Sequence, residues 1–229
     1  MIIVDWQFIF EYSSLYAEAA KLTIKMAAGG IIGATITGLL CSLIKELHIP
    51  VLKRVVQFYI ELSRNTPLLI QLFFLYFGLP KIGILLSSEQ CAIIGLTFLG
   101  GSYMAEAFRS GIDNVPSSQR ESAYSLGMTK RQTFFHIILP QAIATSMPAF
   151  SANIIFLIKE TSVFSAVALA DLMYVAKDLI GIYYKTDEAL FMLVVAYLII
   201  LLPISIISTW LERRARYAGF GDRSAVSGN

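Results

Sequence analysis

The chain has 229 residues, of which 56% are hydrophobic and 15% charged, and its formal net charge is +2. Soluble domains carry about 25% charged residues, so this composition predicts an integral membrane protein. So small a net charge, without a long run of basic residues, argues against a nucleic-acid-binding protein.

Five stretches of the chain are apolar over about 20 residues, the length that a helix needs to cross the roughly 30 Å core of a bilayer. They cover about 22–44, 56–78, 91–108, 135–157 and 190–211. Cys41 and Cys91 lie inside such stretches without a CxxC spacing, which predicts small buried residues rather than a disulfide or a metal site. We therefore expect an all-α membrane protein, a single transmembrane domain over residues 1–229 with five transmembrane helices.

Lysine and arginine are concentrated in three of the connecting segments, at 45–54, 109–131 and 213–223. These segments fall on one side of the membrane, and the positive-inside rule predicts that this side is the cytoplasm. Most aspartate and glutamate residues fall on the other side. The N-terminus is therefore predicted to lie outside the cell membrane and the C-terminus in the cytoplasm.

The second stretch contains polar side chains that need a reason in a bilayer, namely Glu61, Arg64, Thr66 and Gln71. Each charge costs about 2.5–3.5 kcal/mol on insertion scales unless it is paired or hydrated. Pro67 removes a helical hydrogen bond and disfavours helical backbone at Thr66, so the helix is expected to open around Asn65. A broken helix can line the path of a polar solute. Alternatively, Glu61 and Arg64 simply neutralise each other.

Two further groups of polar residues lie at the ends of later stretches. Glu106 and Arg109 are three residues apart at a predicted cytoplasmic end, which favours a structural ion pair. Glu160, Thr161 and Ser162 follow the fourth stretch and are candidates to meet a solute from outside. The segment 159–189 is amphipathic and predicts a helix, either a cap over the bundle or a binding element.

The loop 109–134 is polar between two apolar stretches. Ser118 precedes Glu121 by three residues, as in a capping box, and Gly127 follows Leu126 as a C-terminal glycine does, so a helix is predicted over Ser118–Leu126. Thr129 and Gln132 repeat the capping-box spacing and predict a second helix that enters the membrane.

Three interpretations of this loop are open from local chemistry. The residues could only cap and turn the chain. They could form a DNA-binding helix-turn-helix, but few basic residues are available for phosphates and both ends are attached to the bilayer. They could form a rigid helix on which a partner pushes or pulls.

The loop resembles the EAA motif of ATP-binding cassette (ABC) importer permeases, written E-A-A, three residues, G, nine residues, I-x-L-P. Here Glu121-Ser122-Ala123, Gly127 and Ile137-Ile138-Leu139-Pro140 keep every spacing, and only Ser122 departs from the motif. The resemblance implies a type I ABC importer transmembrane fold and a coupling helix that sits in a cleft of a cytoplasmic ATPase. The implied coupling residues are Ser118, Glu121, Ser122, Ala123, Leu126 and Gly127.

Glu61–Phe74, which reads ELSRNTPLLIQLFF, is similar to the second span of polar amino acid permeases, E-x-x-R-G-T-P-L-L-x-Q-L-F-F. Asn65 stands where that family has glycine. The run from Tyr103 to Ile112 is similar to the family's A-E-x-x-R-x-G-I. The residues that we predict to lie along the substrate path are Glu61, Arg64, Asn65, Thr66, Gln71, Glu160, Thr161 and Ser162.

The resemblance implies a multi-pass permease subunit of the bacterial cytoplasmic (inner) membrane that takes up polar amino acids by alternating access, with glutamine, glutamate or aspartate favoured. The implied partners are an identical or related permease, two ABC ATPase subunits, an external solute-binding protein and the lipid bilayer, with no nucleic acid. The chain has no P-loop motif, so we expect no cofactor and no enzymatic activity here, and ATP with Mg²⁺ in the ATPase.

Two other classes remain as alternatives. A secondary transporter driven by an ion gradient would use Glu61 and Glu106 as proton or sodium sites. Such transporters are built from inverted repeats, and the sequence shows none by inspection. A purely structural membrane scaffold would leave the paired motifs as coincidence.

Overall fold

A computed structural model describes residues 5–46 and 49–215, and in these ranges the chain is helical throughout, with short connections. The α-helices are α1 (Trp6–Glu46), α2 (Pro50–Arg64), α3 (Leu68–Phe73), α4 (Ser88–Asp113), α5 (Ser117–Ser125), α6 (Lys130–Thr133), α7 (Leu139–Glu160), α8 (Leu172–Tyr183) and α9 (Thr186–Ala215). Two π-helical turns, Phe74–Gly78 and Phe134–Ile138, follow α3 and α6. Two 3₁₀ turns, Leu79–Ile82 and Thr161–Val167, complete the list.

Four helical stretches of the described residues are long and apolar enough to cross a membrane: Trp6–Lys45, Ser88–Asp113, Lys130–Val167 and Thr186–Arg214. They contain four of the five predicted stretches. The remaining one, 56–78, is divided between α2 and a shorter apolar helix, Leu68–Ile82. The count of five spans and their orientation stay predictions.

The first helix begins at Trp6, well before the predicted boundary at 22. Its first turns are held by neighbours rather than by lipid, because Phe8 and Tyr16 are buried against residues of α8 and α9. The Tyr16 hydroxyl donates a hydrogen bond of 2.7 Å to the Ala189 carbonyl oxygen. Lys185, just before α9, lies 2.9 Å from the Asp5 carboxylate. The start of α1 is thus fastened to the start of α9.

The centre of the bundle is the contact between α1 and α4. Glycines on α1 face side chains of α4 at close range, and a Cβ atom on Gly38 would lie 2.5 Å from the Met104 Cβ. The Ser42 hydroxyl donates to the Ala105 carbonyl at 3.1 Å in the same contact. In a bilayer the hydrophobic effect does not drive helices together, so close approach of small residues supplies the packing.

The predicted amphipathic segment after α7 folds as the 3₁₀ turn Thr161–Val167 and α8. One face of α8 is buried, with Leu172, Val175, Ala176 and Leu179 in the core shared with α1 and α9. The α8 residue Leu172 donates its backbone N–H to the Thr23 hydroxyl of α1 at 3.3 Å. This packing supports the interpretation of the segment as a cap over the bundle.

Asp171 begins α8 and is fully buried. Its Oδ1 atom accepts a hydrogen bond of 2.9 Å from the Tyr174 backbone N–H, which caps the helix. Its Oδ2 atom is buried without a hydrogen-bond partner among the described residues. Burial raises the pKa of the Asp171 carboxyl to about 7.

This pKa makes the stability of the protein depend on pH. An aspartate in an unfolded chain titrates near pH 3.9, so between about pH 4 and pH 7 the folded protein holds one proton more than the unfolded chain. The free energy of unfolding therefore falls as the pH rises through this window. Above about pH 7 the contribution of Asp171 no longer changes with pH. Asp171→Asn retains the helix cap and removes the titration.

We expect Asp171→Asn to raise the melting temperature relative to the wild-type protein more at pH 8 than at pH 5. Each kcal/mol corresponds to about 2–4 °C for a chain of this size. The measurement is thermal unfolding of the purified protein in detergent at both pH values. Asp178→Asn, on the exposed face of α8, is the matched control. An equal shift at the two pH values would contradict the prediction.

Candidate functional site

The site is built around the break between α2 and α3. The α2 helix ends at Arg64, and Pro67 in extended conformation precedes α3. The Asn65 side-chain amide donates a hydrogen bond of 2.7 Å to the Glu61 carbonyl oxygen. This bond closes the last turn of α2. The predicted opening of the helix at Arg64–Thr66 is confirmed, and its polar backbone is satisfied locally.

Gln71 explains how the break is stabilised. Its side-chain amide donates to the carbonyl oxygens of Ser63 at 3.2 Å and Thr66 at 3.1 Å, and to the Thr66 hydroxyl at 3.0 Å. These carbonyls lie at the end of α2, where no helical N–H reaches them. We predicted Gln71 on the substrate path, but the structure uses its amide to bridge the two half-helices.

The broken helix is held against α4. Ser63 is buried and donates 2.9 Å to the Phe98 carbonyl oxygen, and the Tyr59 hydroxyl donates 2.8 Å to the same oxygen. The α2 helix is amphipathic, with Val56, Ile60 and Ser63 buried on one face. This arrangement places Arg64 beside Tyr103 of α4.

A cavity of about 330 Å³ opens at the break, within the range of small-molecule sites. We name it the first cavity. Four of the predicted path residues line it, namely Arg64, Asn65, Thr66 and Glu160. Glu160 forms none of the ion pairs found between the described residues. One cavity therefore presents a basic and an acidic side chain.

A second cavity, also of about 330 Å³, borders Arg64. It is lined by Gln57, Glu61 and Glu106, and it shares Arg64, Asn65 and Tyr103 with the first cavity. Glu61 thus faces this second cavity and not the first.

Arg64 and Glu61 do not pair with each other in the described structure, so the proposed local neutralisation is wrong. Arg64 Nη1 instead lies 3.9 Å from Glu106 Oε2, and its Cζ lies 5.2 Å from the centre of the Tyr103 ring. Glu61 accepts a hydrogen bond of 2.7 Å from the Gln57 side-chain amide, one turn earlier on α2.

Glu106 is the acidic centre of a cluster that joins three helices. Arg109 Nη2 lies 2.8 Å from Glu106 Oε2, which confirms the predicted pair on α4. Lys45 Nζ of α1 lies 3.3 Å from Glu106 Oε1. With Arg64 of α2, three cations surround one carboxylate, and Asp113 balances Arg109 at 2.7 Å.

Two other predicted path residues, Thr161 and Ser162, line neither cavity. Thr161 is fully buried and its hydroxyl donates 2.7 Å to the Ile158 carbonyl oxygen. The Ser162 carbonyl oxygen accepts from the Ser165 hydroxyl within the 3₁₀ turn, at 3.5 Å. Both therefore shape the turn after α7 in this structure.

Two aromatic residues of the first cavity were not predicted. Tyr103 and Phe156 line it, with their ring centres 5.0 Å apart. A sequence signal was available, since Tyr103 is three residues before Glu106 and Phe156 four residues before Glu160, and such spacings share a helical face. Helical periodicity around each acidic residue would have found them.

The loop with the EAA-like motif forms α5, which is mostly exposed, with Ala123 buried and Arg120 half-buried. The helix spans Ser117–Ser125 rather than the predicted Ser118–Leu126. Pro116, with its extended backbone, occupies the N-cap, so Ser118 falls inside the first turn and the predicted Ser118–Glu121 capping box does not form. Leu126 is 82% exposed.

Gly127 ends α5 as predicted, with φ of +78°. The Met128 N–H donates to the Ala123 carbonyl at 3.1 Å, and the Gly127 N–H to the Tyr124 carbonyl at 2.9 Å. These two bonds are the pattern of a Schellman motif, in which the left-handed residue is most often glycine. The second predicted capping box, Thr129 with Gln132, is confirmed at the start of α6.

The loop is anchored to the bundle by a small hydrophobic cluster. Ile112, Val115, Ile138 and Ala142 are buried together, with Phe134 packed against them. A Cβ atom on Gly111 of α4 would meet the Ala142 carbonyl oxygen of α7. The segments on either side of α5 are thus packed against the ends of α4 and α7.

The described residues contain no group of three His, Cys, Asp or Glu side chains that could hold a metal ion. Cys41 and Cys91 are both free and buried, in agreement with the sequence prediction.

Comparison with known proteins identifies the chain's relatives. Residues 24–217 match the family described as "Binding-protein-dependent transport system inner membrane component". The "Probable amino-acid permease protein YxeN" of Bacillus subtilis is 34% identical over 216 residues, 93% of this chain and 96% of YxeN. The "Probable glutamine ABC transporter permease protein GlnM" of the same organism is 32% identical, over 90% and 95% of the two chains.

A solved structure described as "an amino acid ABC transporter with histidines" superimposes with a TM-score of 0.88 at 31% identity, and covers 93% of this chain and 100% of that one. The long apolar helices and these relatives together show a multi-pass membrane protein. They confirm the predicted resemblance to permeases of polar amino acid importers, which are not themselves enzymes. The chain belongs to the family of binding-protein-dependent transport system inner membrane components.

Proposed function

We propose that the chain is the permease subunit of an ATP-driven importer of polar amino acids, located in the bacterial cytoplasmic membrane and working by alternating access. The observation that carries this proposal is the first cavity, which opens at a broken helix and is lined by both Arg64 and Glu160. An amino acid carries a carboxylate and an ammonium group, and two opposite charges in one cavity can pair with both. Because its relative GlnM is named for glutamine, glutamine is the first solute to test.

The amino acid would pass between polar and aromatic walls. Asn65 and Thr66 offer amide and hydroxyl groups at the break, and Tyr103 and Phe156 offer ring faces. Such a mixture of mostly apolar walls with a few convergent polar groups is typical of small-molecule sites. Glu61, on the second cavity, would lie further along the same path.

Coupling to ATP would pass through α5. Its side chains at Glu121, Ser122 and Leu126 are exposed, while Ala123 is buried towards the bundle. A helix of this kind, rigidly anchored at both ends, is suited to transmit the movement of a separate ATPase. The complete transporter would contain an identical or related second permease, two ATPase subunits that bind ATP and Mg²⁺, and an external solute-binding protein.

The alternative of an ion-driven transporter receives little support from the geometry. Glu106, one of its two candidate ion sites, is already surrounded by Lys45, Arg64 and Arg109. A carboxylate with three cationic neighbours is poorly placed to exchange protons with the solution, because these neighbours stabilise its charged form.

Uptake of labelled glutamine into sealed vesicles that contain the whole complex separates the two mechanisms. With ATP present, the addition of ionophores that collapse ion gradients should leave uptake unchanged. Loss of uptake under these conditions, with ATP intact, would overturn the proposal in favour of gradient-driven transport. Glutamate, aspartate and arginine, each tested in the same assay, define the solute class.

We expect Glu160→Gln to weaken amino acid uptake by about 10- to 100-fold at low solute concentration. A hydrogen bond to a charged group contributes about 1.5–3 kcal/mol, which corresponds to this factor. The measurement is initial uptake rate against solute concentration, with the amount of protein in the membrane determined in parallel. Ser162→Ala, two residues away and outside both cavities, is the control and should retain uptake. Equal uptake by Glu160→Gln and wild-type protein would exclude Glu160 from the path.

A further inference from the structure

The two cavities are neighbours with a common part of their lining, which we call the shared wall. They share Arg64, Asn65 and Tyr103, whereas Glu160 and Phe156 line only the first and Gln57 lines only the second. The first cavity lies towards the Glu160 end of α7, and the second lies towards Glu106 near the end of α4. A solute that moves directly from one cavity to the other would therefore pass the shared side chains, Arg64 and Tyr103 among them.

Arg64 and Tyr103 are in direct contact across this wall. The Arg64 guanidinium carbon lies 5.2 Å from the centre of the Tyr103 ring, within the range of a cation–π interaction. The Tyr103 ring also packs against Phe156, with 5.0 Å between ring centres. The aromatic half of the wall is thus supported by α7, while the cationic half comes from the last residue of α2.

Arg64 is held less closely at the Glu106 carboxylate than Lys45 and Arg109 are, so it is the side chain of the shared wall that is freer to move. Its ion pair with Glu106 is the longest of the three around that carboxylate, 3.9 Å against 3.3 Å for Lys45 and 2.8 Å for Arg109. The Arg64 side chain is also 43% exposed. If Arg64 leaves, Glu106 keeps two cations, so no buried charge is left without a partner.

We propose that the contact between Arg64 and Tyr103 is a gate that divides the solute path into two chambers and opens when Arg64 leaves the Tyr103 ring. This inference rests on the proposed function, in which both cavities belong to the path. It assigns to Arg64 a closing role in addition to contact with solute, and it assigns to Tyr103 a role that the sequence motifs do not indicate.

The gate is tested by labelling cysteines from one side of the membrane. Thr66→Cys reports on the first cavity and Gln57→Cys on the second. Both are placed in a Cys41→Ala, Cys91→Ala background of the complete transporter, and vesicles of known orientation are treated with a membrane-impermeant maleimide. In the absence of ATP and amino acid the gate is expected to be closed. Each cysteine should then react with maleimide applied to one side of the membrane only, and the two cysteines should react from opposite sides.

Tyr103→Ala should remove this one-sided labelling. The maleimide applied from the side that labels Thr66→Cys should then label Gln57→Cys at least tenfold faster than it does in the protein with Tyr103. Tyr103→Phe keeps the ring and should preserve sidedness. Arg64→Ala, at an exposed position, should give the same result as Tyr103→Ala. If the Tyr103→Ala protein does not fold, Arg64→Ala serves as the test of the gate. Unchanged sidedness in Arg64→Ala, or labelling of both cysteines from one side in the parent, would overturn the gate.

The outcome is independent of the uptake assays. Labelling requires neither a solute nor nucleotide, so a transporter that carries an unexpected solute can still show the gate. Conversely, ATP-driven amino acid uptake with no change in sidedness would reject the gate and leave the proposed function in place.

Discussion

Gly127→Val should reduce ATP-driven uptake about tenfold or more while the transporter stays assembled in the membrane. Gly127 has φ of +78°, a left-handed conformation that costs other residues roughly 1–2 kcal/mol and is most unfavourable for a β-branched one. The Schellman bonds that end α5 depend on this conformation. The valine variant is therefore expected to change the angle at which α5 leaves the bundle. The measurements are uptake and the ATPase activity of the whole complex.

Gly83→Val provides the matched control for Gly127→Val. Gly83 has φ of +85°, and a Cβ atom at either glycine would have nothing within 4 Å. The two substitutions thus carry a similar backbone penalty, but Gly83 ends the 3₁₀ turn Leu79–Ile82, outside the α5 loop. We expect Gly83→Val to retain the coupling of ATP hydrolysis to uptake. Equal losses in the two variants would show that the effect is one of stability and not of coupling.

Gly38→Ala should destabilise the bundle by about 1–3 kcal/mol, the usual cost of overpacking. The new Cβ atom would lie 2.8 Å from the Ala105 backbone nitrogen as well as 2.5 Å from the Met104 Cβ. Backbone and Cβ atoms cannot rotate away, so α1 and α4 must separate along their shared contact. The measurement is the melting temperature in detergent together with the yield of folded protein.

Gly29→Ala is the control on the same helix. Its Cβ atom would lie 3.3 Å from the Ile93 Cδ1 atom, the end of a flexible side chain. The substitution also gains up to about 1 kcal/mol of helix propensity, as Gly38→Ala does. Gly29→Ala should thus leave the melting temperature unchanged or raised. A Gly38→Ala protein as stable as the Gly29→Ala protein would contradict the close α1–α4 packing.

The elements that the sequence predicted well are those determined by short-range chemistry. The turn at Gly127, the capping box at Thr129 and the break before Pro67 each depend on a few adjacent residues. The capping box at Ser118 was wrong for an equally local reason, because Pro116 already takes the N-cap and moves Ser118 into the helix. Hydropathy located four long helices, whereas the division of 56–78 into two was indicated by Pro67 and not by hydropathy.

Which residues line the site, and which partners they contact, depends on packing between distant parts of the chain. The sequence predicted these contacts less completely than the local turns and caps. Pairing of Arg64 with Glu61 on α2 was one of two alternatives, but Arg64 lies near Glu106 on α4 instead. Gln71 looked like a residue of the path because it is polar in an apolar helix, but its amide bridges the break. Tyr103 and Phe156 meet only because α4 packs against α7.

The central claim is that α5 contacts a separate ATPase, and site-specific crosslinking tests it directly. Because Cys41 and Cys91 are buried, Glu121→Cys in the complete transporter can carry a thiol-directed photocrosslinker with little background. Tyr184→Cys, 86% exposed in the segment predicted to be external, is the control. We predict a crosslink from position 121 to the ATPase subunit and none from position 184. No crosslink from position 121, or one from position 184 instead, would contradict the account.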